Sequence, residues 1–139
     1  MSEKYLIIGA TGSIGSSLAD QLKKSGNDIH LVGRNHDEVK KLSNQLDCSF
    51  TVSDVLESGF VDKIKNDVSE IKGIAYCVGS IDLKPFRMVS EEDFNKCMKL
   101  NFYPAVEAIN SFQDSLKKIK DLLCFFQLLQ HKEGLPIML

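Results

Sequence analysis

Tyr5-Leu6-Ile7-Ile8-Gly9-Ala10-Thr11-Gly12-Ser13-Ile14-Gly15-Ser16-Ser17-Leu18 is the stretch against which the rest of the chain is read. An apolar run of strand length is broken by Gly9, Gly12 and Gly15, which fall three apart. Ile14, Leu18 and Leu22 then repeat at helical spacing until Gly26 stops the pattern. Strand, tight turn and helix in this order form a cradle for a diphosphate: backbone must approach the phosphates without a Cβ in the way, and the helix N-terminus offers N–H groups to negative oxygens. Gly9, Thr11, Gly12, Ser13, Ile14 and Gly15 are the candidate cofactor-binding residues of this loop. The alternative is a glycine-rich structural turn that holds nothing. A nucleoside-triphosphate loop of the Walker kind is excluded, because no lysine follows the last glycine.

Working outward, Asp28–Gly33 is a second strand, close enough to lie parallel to the first through a right-handed crossover. In a dinucleotide fold an acidic residue after this strand binds the ribose hydroxyls, and a basic one accommodates a 2′-phosphate. Here Gly33-Arg34-Asn35 stands at that place, which favours NADP over NAD, with a solvated turn arginine as the alternative. Val39, Leu42 and Leu46 mark a helix, and Cys48–Val52 a third strand. Asp54, just beyond it, either accepts from an adenine amino group or caps the helix that carries Phe60, Val61, Ile64 and Val68. Gly73–Ser80 is a fourth apolar strand, and its terminal Gly79 is a second candidate for close backbone approach to a ligand.

Ser90-Glu91-Glu92-Asp93 resembles a capping box with Asp in place of Glu, and opens the longest predicted helix, 91–118. Phe94, Met98, Asn101, Ala105, Ile109, Phe112 and Leu116 form its apolar stripe, with Asn101 as the polar exception. Pro104 cannot donate to the Leu100 carbonyl. Read from the residues alone, Asn101 or an ordered water repairs a kink there.

Taken together, residues 4 to about 118 resemble the amino-terminal half of a short-chain dehydrogenase/reductase. Gly9-Ala10-Thr11-Gly12-Ser13-Ile14-Gly15, Arg34, Asp54, Cys77-Val78-Gly79 and Leu100-Asn101 carry the likeness. The resemblance implies an α/β, Rossmann-like, doubly wound parallel sheet, here incomplete with four to five strands, and NAD(P)-dependent hydride transfer between a carbonyl and an alcohol. It also implies that Asn101 is a proton-relay residue that organises a water. Two departures stand out. The common family turn has glycine where Ser13 stands, so this loop equally fits the three-apart glycine spacing of extended and atypical members. Tyr76-Cys77-Val78-Gly79 replaces Asn-Asn-Ala-Gly, so only the glycine of that motif carries over.

Family catalysis further needs a serine after the fifth strand and a Tyr-x-x-x-Lys, whose lysine lowers the tyrosine pKa for proton transfer. Four residues after Tyr5, Tyr76 and Tyr103 stand Gly9, Ser80 and Glu107, so no tyrosine qualifies. Asp121–Phe126 is the candidate fifth strand, yet Gln127-Leu128-Leu129 occupies the serine position, and Gly134-Leu135-Pro136 opens no further element. The expected organisation is therefore a partial nucleotide-binding domain over 1–120 and an unpatterned tail over 121–139. This predicts a change of reading frame near Lys120 and a chain that is catalytically incomplete by itself, the alternative being a divergent but genuine short protein. A Tyr-x-x-x-Lys in another frame of the locus would support the first and its absence the second. A half-sheet of this kind exposes an apolar edge strand and helix stripe, which predicts marginal stability or self-association through helix 91–118.

With 139 residues the chain is one domain or a piece of one, and a net charge of −2 with both signs interspersed gives no footprint for nucleic acid. Cys48, Cys77, Cys97 and Cys124 make no C-x-x-C pair, which argues against zinc and for a reducing compartment. No apolar run reaches spanning length, so no membrane contact and a cytoplasmic location are expected. His30, His36 and His131 accompany no Gly-x-Ser-x-Gly elbow and no carboxylate cluster, which disfavours hydrolase and metal chemistry. Two classes remain: an NADP-dependent oxidoreductase by descent, and a non-catalytic nucleotide-binding or interaction module.

Overall fold

From Lys4 to Tyr76 strand and helix alternate as the apolar periods predict. The computed structural model describes residues 3–118. It contains β1 (Lys4–Ile8), α1 (Ser13–Lys24), β2 (Ile29–Gly33), α2 (His36–Leu46), β3 (Ser49–Val52), α3 (Phe60–Asp67) and β4 (Ile71–Tyr76), then α4 (Glu91–Asn101), α5 (Tyr103–Ser111) and α6 (Gln113–Lys117). The four strands form one parallel sheet in the order β3-β2-β1-β4, with Ile7 of β1 level with Leu31 on one side and Ala75 on the other. The predicted fifth strand and tail lie outside the described residues.

Because strand side chains alternate, β1 feeds two cores. Leu6 and Ile8 pack with Phe60, Val61 and Ile64 of α3 and with Ala108 and Phe112, whereas Ile7 packs with Ala19 of α1 and Val39 of α2. Both faces are covered, so β2 is buried along its whole length. Gly26 (φ 78°) closes α1: its N–H donates to the Lys23 carbonyl and that of Asn27 to Leu22, a Schellman ending.

One polar chain, buried at His30 and Thr51 and reaching solvent at Asp67, runs across the amino-terminal part of the sheet. Lys4 Nζ lies 2.8 Å from Ser49 Oγ, Ser49 Oγ 2.8 Å from His30 Nδ1, His30 Nε2 2.8 Å from Thr51 Oγ1, and Thr51 donates to Asp67 at 2.5 Å. The two ends fix the direction. An ammonium only donates and a carboxylate only accepts, so Ser49 donates to Nδ1 and His30 carries its proton on Nε2. Burial, with Lys4 adding to it and Asp67 opposing, lowers the His30 pKa to about 4.

The single helix predicted over 91–118 is three helices. Its start is as expected, with Ser90 and Asp93 forming a reciprocal capping box. Phe102 then leaves helical backbone at φ −127°, ψ −59°, and Pro104 falls in the first turn of α5, where its missing N–H costs nothing. A second break at Phe112 (φ −104°, ψ 14°) precedes α6. The predicted stripe consequently splits. Leu100, Ala105, Ala108, Phe112 and Leu116 pack toward the sheet, while Phe94, Met98, Phe102, Val106 and Ile109 stay exposed. The fourth strand also sits earlier than predicted, at 71–76, so Cys77 to Ser80 form a loop at its carboxyl end.

Candidate cofactor site

The carboxyl ends of β1, β2 and β4 open into a cleft of about 430 Å³. Gly9, Thr11 and Gly12 line it from the first turn, Arg34 from the end of β2, Asp54 from the end of β3, and Gly79 and Ser80 from the end of β4. Six of the residues singled out in the sequence thus converge on one space, although they span seventy positions of the chain. Ser13, Ile14 and Gly15 lie one step behind, in the first turn of α1.

The three glycines have different reasons to be glycine. Gly9 holds φ +82°, and a Cβ there would meet the Cys77 carbonyl carbon at 2.8 Å. At Gly15 a Cβ would come within 2.2 Å of the Gly9 carbonyl oxygen, so this residue lets α1 pack onto the turn rather than clearing room for a phosphate. Gly12, in extended backbone at the N-cap of α1, has no side chain to cap the helix and also lines the cleft. It leaves the positive end of the helix dipole uncancelled by any capping oxygen of its own.

Asp54 is not the cap of α3. That position belongs to Gly59 (φ 76°), and Asp54 Oδ1 instead accepts from the Leu56 N–H at 2.9 Å, a tight turn that presents the residue to the cleft. Arg34 precedes Asn35, whose side chain caps α2 by accepting from the Asp37 and Glu38 N–H groups. The arginine is therefore carried on a pinned turn.

Asn101 does not repair a kink. The Leu100 carbonyl accepts instead from the Tyr76 hydroxyl at 2.6 Å, because the end of β4 faces the end of α4. The Asn101 amide turns the other way and clamps the loop after β4: Oδ1 accepts from the Ser80 N–H at 3.0 Å, and Nδ2 donates to the Ser80 carbonyl and to the Cys97 carbonyl, each at 2.8 Å. One side chain thereby holds the Gly79-Ser80 wall of the cleft. Burial, with the Asp54 carboxylate adding to it, pushes the Tyr76 phenol well above its ordinary range, so it serves as a donor and not as an acid. Burial also raises the Cys77 thiol, so that it lines the cleft uncharged.

A model of the short chain dehydrogenase family matches residues 3–121. The chain belongs to that family. The 3-oxoacyl-[acyl-carrier-protein] reductase FabG of Rickettsia bellii is 33% identical over 100 residues, which are 69% of this chain and 41% of that protein. The very-long-chain 3-oxoacyl-CoA reductase of Rattus norvegicus is 32% identical over 78 residues, 52% of this chain and 25% of that protein. Among solved structures, the alcohol dehydrogenase of Thermococcus sibiricus, complexed with 5-hydroxy-NADP, superposes with a TM-score of 0.75 at 23% identity over 85% of this chain and 55% of that one. This last likeness speaks to the fold. The chain spans less than half the length of these curated relatives.

Members of the short chain dehydrogenase family bind NAD(P), and the cleft fits such a group by its own geometry: a left-handed glycine, a helix N-terminus without a capping side chain, and a cationic residue at the far end. Among the described residues no helix is long and apolar enough to cross a membrane, and no three His, Cys, Asp or Glu side chains are placed to share a metal ion. What sequence reasoning missed is the Ser80 clamp and the Tyr76 to Leu100 bond. The only signal for either was a polar residue on an apolar stripe.

Proposed function

We propose that this chain binds NADP(H) in the cleft at the carboxyl ends of β1 and β4. Gly9, Thr11, Gly12, Ser13, Ile14 and Gly15 form the diphosphate end, Arg34 takes the 2′-phosphate, Asp54 accepts from the adenine amino group, and Gly79 lets the loop approach the nicotinamide half. The observation that carries this reading is the convergence of Gly12, Arg34, Asp54 and Gly79 on one cleft. When bound, the nicotinamide supplies or receives hydride in the carbonyl and alcohol chemistry that the family performs. Asn101 is a positioning residue: it holds Ser80, and through it the wall of the cleft, by two backbone hydrogen bonds.

The polypeptide by itself is proposed to bind without turnover. Gly9, Ser80 and Glu107 stand four residues after Tyr5, Tyr76 and Tyr103, so none of these tyrosines begins the Tyr-x-x-x-Lys that the family's proton transfer uses. Calorimetric titration with NADPH and NADH tests binding, and loss of NADPH absorbance with a panel of carbonyl compounds tests turnover. Absence of NADPH binding would overturn the first claim, and measurable oxidation the second. A cytoplasmic location is part of this proposal. Self-association through α4 and α5 is a second element of it, supported by the exposed row Phe94, Met98, Phe102, Val106 and Ile109. Sedimentation of wild type against Phe102→Asp separates a dimer from a monomer.

A further inference from the structure

A second cleft, of about 390 Å³, opens beside the first and shares Arg34, Ser53 and Asp54 with it. Its far wall is Glu57, in the turn after β3, and Lys63, in the first turns of α3. Lys63 Nζ lies 2.5 Å from Glu57 Oε2, and both side chains are about half exposed, at 51% and 55%. The cleft therefore holds two cations, Arg34 and Lys63, and two carboxylates, Asp54 and Glu57.

Resting on the NADP(H) reading above, we infer that Lys63 is a second cation for the phosphate on the adenosine ribose, and that Glu57 is the internal anion which that phosphate displaces. Three physical points support it. A phosphate monoester brings a charge of about −1.5 to −2, which Arg34 alone does not balance in the presence of Asp54 and Glu57. An exposed ion pair contributes little net stability, so exchanging Glu57 for phosphate costs the fold little. A lysine is a point charge on a flexible stem and reaches a new acceptor by rotamer change alone, without moving α3. In this arrangement the four charges cancel without the phosphate, and release of Lys63 from Glu57 gives an incoming phosphate a second cation beside Arg34.

NADPH and NADH differ only in that phosphate, so the ratio of their dissociation constants isolates the effect. Lys63→Met is expected to weaken NADPH binding about fivefold and to leave NADH binding unchanged, while Lys63→Arg retains the preference. Glu57→Gln is expected to tighten NADPH binding about twofold. Repeating Lys63→Met in the Glu57→Gln background distinguishes direct contact from mere neutralisation of Glu57. A persisting NADPH-specific loss supports the inference, and no further loss overturns it. A wild-type NADPH preference untouched by Lys63→Met also overturns it while leaving the Arg34 reading in place. A wild-type chain that binds both nucleotides alike, or neither, overturns the NADP(H) reading and this inference with it. Both residues are exposed, so folding is monitored by circular dichroism and is expected to be unaffected.

Discussion

At the amino-terminal part of the sheet Lys4, Ser49, His30, Thr51 and Asp67 pair their polar atoms with one another. At the carboxyl ends of the same strands Gly9, Thr11, Gly12, Arg34, Asp54 and Gly79 surround a cleft. β1, β2 and β3 meet both regions and β4 adds its following loop to the second, so the difference lies in the loop into which each strand runs. His30 and Thr51 are buried and complete their hydrogen bonds within the protein, because an unpaired buried polar group costs about 1–3 kcal/mol. Loops at the far edge can instead turn backbone donors and cationic side chains toward a ligand, because a glycine turn keeps side chains out of the way.

The largest expected effect comes from filling the joint between turn and helix. Gly15→Ala places a methyl group 2.2 Å from the Gly9 carbonyl oxygen, which requires backbone movement and is expected to cost about 3 kcal/mol in urea unfolding. A variant as stable as wild type would show that α1 does not seat on the turn as described.

Acid should break the opposite end first. His30 has a folded pKa of about 4 against an ordinary 6.5, so the unfolded chain takes up the proton earlier. Stability is full above pH 6.5 and falls as the pH drops toward 4, by about 3 kcal/mol in all. Unfolding midpoints of wild type and His30→Asn across that window test this. The extra pH slope of wild type should vanish in the variant, and a slope common to both would assign it to other groups.

The cleft is sharpened by Arg34→Glu, which is expected to weaken NADPH binding about tenfold and NADH binding little, as measured by calorimetry. Equal losses would remove Arg34 from the phosphate. Smallest is Tyr76→Phe, which deletes the donor to the Leu100 carbonyl while keeping the buried ring, and should cost about 1 kcal/mol in thermal unfolding. No loss would mean that solvent satisfies that carbonyl equally well.

Much of this was legible from residues close in sequence. The βαβαβ order, the Gly26 ending of α1 and the Ser90–Asp93 capping box all come from local spacing, and the parallel order of the strands then places Gly12, Arg34 and Gly79 on one cleft. The reading failed where the deciding partner is distant. Helix 91–118 breaks at Phe112 although no proline or glycine marks the place, and the ring there is buried in the core beneath α3 and β4. Asn101 looked like a repair for its neighbour's carbonyl, yet that carbonyl is answered by Tyr76, twenty-four residues away.

Alone, then, the sequence determined the elements and their order from β1 to the capped start of α4, because apolar period, turn glycines and caps act within a few residues and carry their physical reason with them. Tertiary structure decided which polar atom meets which: Asn101 with Ser80, Tyr76 with Leu100, His30 between Ser49 and Thr51, and Lys63 with Glu57 at the mouth of the second cleft. A hydrogen bond or ion pair is set by distance in space: the pairing of β2 with β3 brings His30 to Ser49 and Thr51, and the placing of the end of α4 beside the end of β4 brings Leu100 to Tyr76 and Asn101 to Ser80.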